Sequence, residues 1–423
     1  MKPALLKTLA IVLIGALAFL LGWHLLHGGW ENLKEDWTGN YRPRPSPTAA
    51  PLALGPDGYY WGVTEDSYAM PGYVYKMKAD GSGWKRVHTF DRSPRAPAAI
   101  HPAGGLVSDG GDSMLGVTAG RGLPSVGSTL YKINVKTGAQ MTLAEFTDTE
   151  GPNLGSEPNA TLVPDGTGSF LGSTVGGGKG GRGTIFKFHP GTGVFSTVAE
   201  IPYTPHSRNV ACGPKDALAS GGMGCWWGTF SGGGLEECGA VFKVNASSGE
   251  VTTVVEFTEG KGGKYPMGGV VNDGQGFFWG ACNGGGKGYG TLFKVNATTG
   301  ALTTIVEFTG QGGTTLGALP EAALVSDGHE FLWGSTLAGG GDNAGTLFKV
   351  DITSGALTTL VEFDEKESHH KGHHPNAPLV SDGHGSFLGT TTYGGKKDAG
   401  TIFKIDIATG VLTTLVELGK VGP

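Results

Sequence analysis

Apolar and polar residues alternate along this chain in short runs, and the runs recur. GTLFKVNATTGALTTIVEF at 290–308 is nearly repeated as GTLFKVDITSGALTTLVEF at 345–363 and as GTIFKIDIATGVLTTLVEL at 400–418. β-Branched and aromatic residues fill each run, and Thr-Gly or Ser-Gly separates the runs, which is the pattern of two strands joined by a tight turn. Two further runs precede each copy. In the last one, PLVSD at 378–382 leads through Gly383-His384-Gly385 into SFLGTTTY at 386–393. Each copy therefore predicts four short strands. No run of comparable length outside the N-terminus carries a sustained helical period.

An aromatic-Lys pair marks the third strand of every copy: Tyr75-Lys76, Tyr131-Lys132, Phe186-Lys187, Phe242-Lys243, Phe293-Lys294, Phe348-Lys349 and Phe403-Lys404. The pairs recur every 51 to 56 residues. A fixed period of this size belongs to solenoids or propellers. Four strands per period make a propeller blade. The length is near that of a kelch-like blade, and the Trp-Asp signature of shorter WD40 blades is absent. The expectation is an all-β chain: a seven-bladed β-propeller of four-stranded blades over 51–423. The pattern LVSDG…FLWGSTLAGGG…GTLFKVD…TSGALTTLVEF at 324–363 resembles the Gloeo/Verruco (GloVer) tandem repeat. That resemblance implies a bacterial envelope or exported protein with one of several membrane anchors, and it carries no catalytic residues over. The first copy departs from the pattern at Thr89-Phe90, and the fourth replaces the Asp-Gly turn with GPKDALASGGMGC at 213–225.

The first thirty residues differ from the rest. Lys2 and Lys7 precede an uncharged run from Thr8 to Leu26. As a helix this run reaches ~28 Å, close to the ~30 Å of a hydrocarbon core. Ala16-Leu17-Ala18 resembles a signal-peptide cleavage site, but Phe19-Leu20-Leu21 continues the apolar run beyond it. The expectation is a single transmembrane signal anchor at 1–30 and a stiff Pro-rich linker at 31–50. The propeller would then lie on the periplasmic or extracellular side of the cell membrane.

Composition narrows the choice of function. Gly accounts for 78 of 423 residues and falls at the predicted turns. The net charge of -6, with no basic cluster, offers nothing to bind nucleic acid. Cys212, Cys225, Cys238 and Cys282 lack metal-binding or redox spacing, so in an oxidising compartment they are expected to form disulfides. Four cysteines allow three pairings; the local one joins Cys212 to Cys225 and Cys238 to Cys282.

Residues present in every copy are expected to serve the scaffold. A single Asp before Gly is turn chemistry, because calcium loops stack several oxygen donors. The repeated Lys is expected to pair with the Glu that recurs near the blade end (Glu145, Glu200, Glu256, Glu307, Glu362, Glu417) or to guard a strand edge. Trp61, Trp227, Trp279 and Trp333 exchange with Leu115, Leu171 and Leu388 at one position, which marks packing between blades. The sequons at Asn245 and Asn296 fall in the repeated turn.

Function should then reside in what differs between copies. The connections after strands one and three are short stereotyped turns, whereas those after strands two and four vary in length and chemistry. Variable loops on a rigid scaffold are the usual place of recognition. They contribute the candidate binding residues Arg92, Arg95, His206, Arg208, Glu236, Glu237, His369, His370, His373 and His374. The four histidines read as a solvated loop rather than a metal site, since Lys371 lies among them, and no motif points to a cofactor. The expectation is a membrane-tethered binding or assembly module with a protein partner in the cell envelope, more readily a non-enzyme than an enzyme. The alternative is an exported propeller enzyme such as a carbohydrate hydrolase or lyase, with Arg182 as a further contributor.

Overall fold

The computed structural model describes residues 50–64, 71–90, 101–120, 127–202, 213–214, 216–234, 236–258, 262–364 and 372–419. Residues 44–423 form one compact unit. Seven antiparallel sheets make up a seven-bladed β-propeller, each sheet built from one contiguous stretch of chain. The blades span 53–89, 101–145, 156–200, 219–256, 271–307, 325–362 and 373–417. Apart from a first strand that is split in blades 3 and 7, consecutive strands within each are neighbours, as tight turns require. First strands pack against the adjacent blade and lie toward the axis, and fourth strands lie at the rim.

One cross-strand pair recurs in all seven blades. The aromatic of the aromatic-Lys pair sits opposite a glycine of the second strand: Gly62 with Tyr75, Gly116 with Tyr131, Gly172 with Phe186, Gly228 with Phe242, Gly280 with Phe293, Gly334 with Phe348 and Gly389 with Phe403. The ring lies across the glycine so closely that an added Cβ would stand 2.3 to 2.6 Å from a ring atom. Immediately before each aromatic, the pairing of strands three and four shifts by a bulge. Such bulges increase the local twist. The neighbouring Trp or Leu fills the space between blades as the exchange predicted. Trp227 of blade 4 stacks on Phe278 of blade 5 with centroids 4.2 Å apart, and Trp333 of blade 6 meets Phe387 of blade 7 at 5.3 Å.

The repeated lysine does not pair with the repeated glutamate. Lys187 binds Asp165 at 2.6 Å and Lys404 binds Asp382 at 2.7 Å, in each case the Asp of the Asp-Gly turn in the same blade. Strand pairing explains the choice: Lys187 lies opposite Leu171, which in turn lies opposite Val163, one residue from that turn. In blades 1 and 5, where Trp replaces Leu, the indole N–H reaches the Asp. Trp61 donates to Asp57 and Trp279 to Asp273, both at 2.9 Å, and Lys294 lies 5.0 Å from the Trp279 ring centroid. The glutamates instead tie down the loop between strands two and three. Glu200, Glu362 and Glu417 accept backbone N–H groups from Lys179, Gly341 and Lys396 at 2.6, 2.7 and 3.1 Å.

One further expectation falls outside the described residues and another is corrected. Among the described residues no helix is long and apolar enough to cross a membrane, since the described fold is strand and turn; the run at 8–26 lies outside them. Nor do the described residues hold a disulfide: Cys225, Cys238 and Cys282 are thiols, and Cys212 lies outside the described residues. Cys225 opens the second strand of blade 4 at the short-turn end, while Cys238 and Cys282 are buried in the apolar seam between blades 4 and 5. Burial explains the presence of those two without a bridge, and the cysteines no longer argue for an oxidising compartment.

Gly334→Ala should lower stability by about 1–3 kcal/mol through collision with Phe348. At Gly328, where φ is +80 and nothing lies within 4 Å, alanine should cost only about 1 kcal/mol. Denaturant midpoints compare the two, and equal shifts would remove the packing argument. A second expectation concerns acid. Burial alone would raise the Asp165 carboxyl, but hydrogen bonds from Lys187 and Thr167 hold it at about 2, below its ordinary 3.8. The resulting stabilisation is complete above pH 3.8 and is lost as pH falls through 2. Unfolding free energy should therefore drop more steeply over this window in the native protein than in Asp165→Asn.

Candidate functional site

The connections after strands two and four emerge together, opposite the short turns. Here the first strand of a blade is broken in two. In blade 7, His373–Pro375 pairs with the end of the second strand and Val380–Ser381 with its beginning. Blade 3 repeats the arrangement with Ser156–Pro158 and Val163–Pro164. The residue before the proline has positive φ in four blades: Glu157 at 54°, Tyr265 at 60°, Leu319 at 57° and His374 at 57°. Proline restricts its predecessor toward extended conformations, so each instance is strained, by about 1–3 kcal/mol. The strain is held by a bond to the preceding blade. Tyr265 N–H donates to Cys238 O at 2.8 Å, Leu319 to Tyr289 O at 3.0 Å and His374 to Ala344 O at 2.8 Å. Equivalent strained positions thus present Glu, Tyr, Leu and His around one mouth.

Blade 7 carries the densest chemistry there. His373 lies directly across the strand pair from Tyr393, and its imidazole stacks on that ring with centroids 5.6 Å apart. His374 meets the same ring edge-on at 5.7 Å. The Nδ1 atoms of the two imidazoles are 2.6 Å apart, a hydrogen bond in which one ring donates and the other accepts. Asp398 Oδ1 lies 3.8 Å from His373 Nε2. That carboxylate favours a proton on His373 Nε2, leaving Nδ1 to accept from His374 Nδ1–H. His374 Nε2 is then an unprotonated base. Burial, and next the charge of His373, push the His374 pKa down to about 4 against an opposing pull from Asp398. His374 is therefore neutral at physiological pH.

Asp398 owes its place to loop closure. Its Oδ1 accepts the Gly394 N–H at 2.8 Å, as Asn343 does from Gly339 at 2.9 Å in blade 6. Glu237 does the same for Gly233 at 3.2 Å, so this predicted binding residue closes its own loop, with Glu236 beside it. Among the described residues, only blade 7 sets a histidine against that carboxylate. Arg182 is buried between blades 3 and 4, lining a cavity of about 30 Å³, the size of one water, with Phe230 and Glu256. Between blades 2 and 3 an open depression of about 720 Å³ is lined by Thr149, Glu150, Gly151, Leu154 and Lys179. Arg92, Arg95, His206, Arg208, His369 and His370 lie outside the described residues.

Sequence reasoning passed over Tyr393, Asp398 and Asp216. Asp216 accepts the N–H groups of Gly269 in blade 5 at 2.8 Å and of Ala217 at 2.7 Å, and desolvation raises its pKa. The available signal was the proline that recurs after a changing residue: His101-Pro102, Glu157-Pro158, Tyr265-Pro266, Leu319-Pro320 and His374-Pro375. The neutral imidazole is testable by NMR. The His374 ring resonances should stay constant from neutrality downward and move only near pH 4. Because its folded pKa is depressed, its contribution to stability is full above its ordinary 6.5 and declines as pH falls from there toward 4. A His374 titration near 6.5 would contradict the burial and pairing described.

Solved structures with this fold include enzymes. A puromycin hydrolase aligns over 89% of this chain at 14% identity with a TM-score of 0.54, and the chain spans about half of that protein, 55% of its length. A proposed 6-phosphogluconolactonase from Bacteroides fragilis NCTC 9343 aligns over 85% of this chain and 94% of its own at 16% identity, TM-score 0.52. The β-propeller domain of the Trilobed protease from Pyrococcus furiosus, described as having an open velcro topology, aligns over 89% and 98% at 10% identity, TM-score 0.50. These likenesses establish the fold. They also correct the preference for a non-enzyme, which rested on regular blades without a catalytic motif: chains that contain such propellers include a hydrolase and a protease. Among curated proteins, none matches this sequence. Residues 213–422, about half of the chain, match the Gloeobacter/Verrucomicrobia repeat. Blades 1 to 3 share the same glycine-aromatic pairing with those matched blades. Through its last four blades, the chain belongs to the Gloeobacter/Verrucomicrobia repeat family.

Proposed function

We propose that this chain is an exported propeller enzyme of the carbohydrate lyase type, with His374 as general base at the mouth of the loop-rich face. The observation that carries the proposal is the His373–His374 contact, in which a carboxylate-oriented imidazole pairs with a second, buried and neutral imidazole beside a partly exposed tyrosine. A base that is unprotonated at working pH is what proton abstraction needs. In β-elimination from a uronate, His374 Nε2 takes the proton α to the carboxylate. The electron pair forms the new carbon–carbon double bond, the glycosidic C–O bond breaks, and the leaving oxygen takes a proton from the Tyr393 hydroxyl. No water or oxidant is consumed. As His374 becomes charged, its Nδ1–H bond to His373 strengthens, and Asp398 balances the pair. Glycoside hydrolysis commonly uses two carboxylates flanking the bond, and an imidazole–tyrosine pair suits elimination better. Recognition by the variable loops, including Arg92, Arg95, His206 and Arg208, becomes the substrate-holding part of the same reading. The apolar run at 8–26 and the repeat family support export.

The test is incubation of the full chain with uronate polymers, following ultraviolet absorbance of an unsaturated product. His374→Ala should reduce the rate about 10²–10⁴-fold, and His373→Ala and Tyr393→Phe should also reduce it. The acid limb of the rate profile should fall near pH 4. Turnover undiminished in His374→Ala, or product formed only by hydrolysis, would overturn the assignment.

A further inference from the structure

Three aromatic side chains are strongly exposed among the described residues, and all three are tyrosines on the loop-rich face: Tyr265 at 43%, Tyr289 at 44% and Tyr393 at 40%. The strongly exposed aliphatic residues lie elsewhere. Leu54, Met141, Val194, Met223 and Val411 sit at or beside the short turns. Among the described residues, the loop-rich face thus offers exposed rings with hydroxyl groups and no strongly exposed aliphatic side chain, which suits a polar ligand with flat apolar faces better than a protein hot spot.

Tyr393 belongs to the histidine pair, but Tyr265 and Tyr289 form a second, separate feature on blade 5. Tyr265 is one of the strained pre-proline residues, fixed by its N–H bond to Cys238 and by accepting the Asn283 N–H at 3.0 Å. Tyr289 packs one ring face on Gly310, where an added Cβ would stand 2.7 Å from the ring, and its carbonyl accepts the Leu319 N–H. Both rings are therefore positioned by backbone bonds. Between them runs Gly284-Gly285-Gly286-Lys287-Gly288, whose one side chain is a lysine. Lys264 is paired through its backbone with Gly284 in both directions at 2.9 Å, and its ammonium lies 5.7 Å from the Tyr265 ring centroid.

We infer that Tyr265 and Tyr289, with Lys264 and Lys287, form a binding platform for an acidic glycan chain. Sugar rings lie on the tyrosine faces, their hydroxyls meet the tyrosine hydroxyls and the bare glycine backbone, and their carboxylates meet the two ammonium groups. Bare backbone between two fixed rings leaves a floor that a flat polymer can cross. This platform extends the proposed function by adding a substrate-holding subsite away from His374; its occupancy does not depend on turnover.

The experiment is affinity electrophoresis of the full chain through gels containing polygalacturonate, alginate or neutral dextran, at low and high salt. Polygalacturonate or alginate should retard the protein, and dextran should not. Tyr265→Ala with Tyr289→Ala should weaken retardation roughly tenfold. Lys264→Gln with Lys287→Gln should remove the salt dependence while the denaturation midpoint stays that of the native protein. A double tyrosine variant that has lost its fold is replaced by Tyr265→Ser alone, read in the same gels. Retardation without turnover on any uronate would sink the lyase reading and leave the platform standing. Absence of retardation in both acidic gels, equal retardation by dextran, or retardation unchanged in the tyrosine variants would overturn the platform.

Discussion

The contact between a second-strand glycine and a third-strand aromatic is the constraint on which this propeller depends. The ring occupies space that any side chain would need, and it does so at one depth in all seven blades. The aromatic is thereby laid across its own sheet, where in five blades its ring meets the phenylalanine that ends the preceding blade, and the residue beside the glycine reaches the next blade. Trp or Leu at that neighbouring position then sets the spacing of blades, and in blades 1, 3, 5 and 7 the turn Asp answers the choice with an ion pair to Lys, an indole hydrogen bond, or both. Scaffold charges are satisfied on the short-turn side. What remains variable is concentrated on the other side.

The same division explains why the mouth can hold strained residues. A bond from the strained N–H to the preceding blade couples local backbone conformation to ring assembly, so conformations that a lone sheet would discard persist. Loop-closing acids or amides follow at Glu237, Asn343 and Asp398. In blade 7 the two devices coincide, and a structural carboxylate faces a histidine. The reactive arrangement is thus a local variation on parts that every blade needs for its own closure.

Much of the fold was legible because the repeat displays it. Period, strand number and turn residues are written into the sequence seven times, and packing of Trp against neighbouring blades followed from exchange with Leu. The partner of the repeated lysine was not legible: Glu and Asp recur with equal regularity, and strand register, which sequence spacing does not reveal, decides between them. The cysteines misled because burial and bridging leave the same trace in a sequence. At the site, His373 and His374 stood out as part of a histidine run, whereas Tyr393 and Asp398 looked like ordinary loop residues until strand pairing brought them beside the imidazoles.

Among the described residues, each blade is drawn from a single stretch of chain, and no sheet combines the first segment with the last. The ring closes where Leu52, Tyr60 and Tyr73 of blade 1 meet Leu388, Ile402 and Leu418 of blade 7, with the Tyr60 hydroxyl donating to Ser381 O at 3.4 Å. Because no strand is shared across this seam, one genetic repeat equals one structural unit. Unequal recombination between neighbouring copies would delete or add a whole blade and leave every remaining sheet complete. The near-identical third and fourth strands of blades 5, 6 and 7 are the substrate on which such recombination acts. A lineage can therefore exchange the loops at the mouth one blade at a time, carrying a new recognition element in on a self-contained cassette.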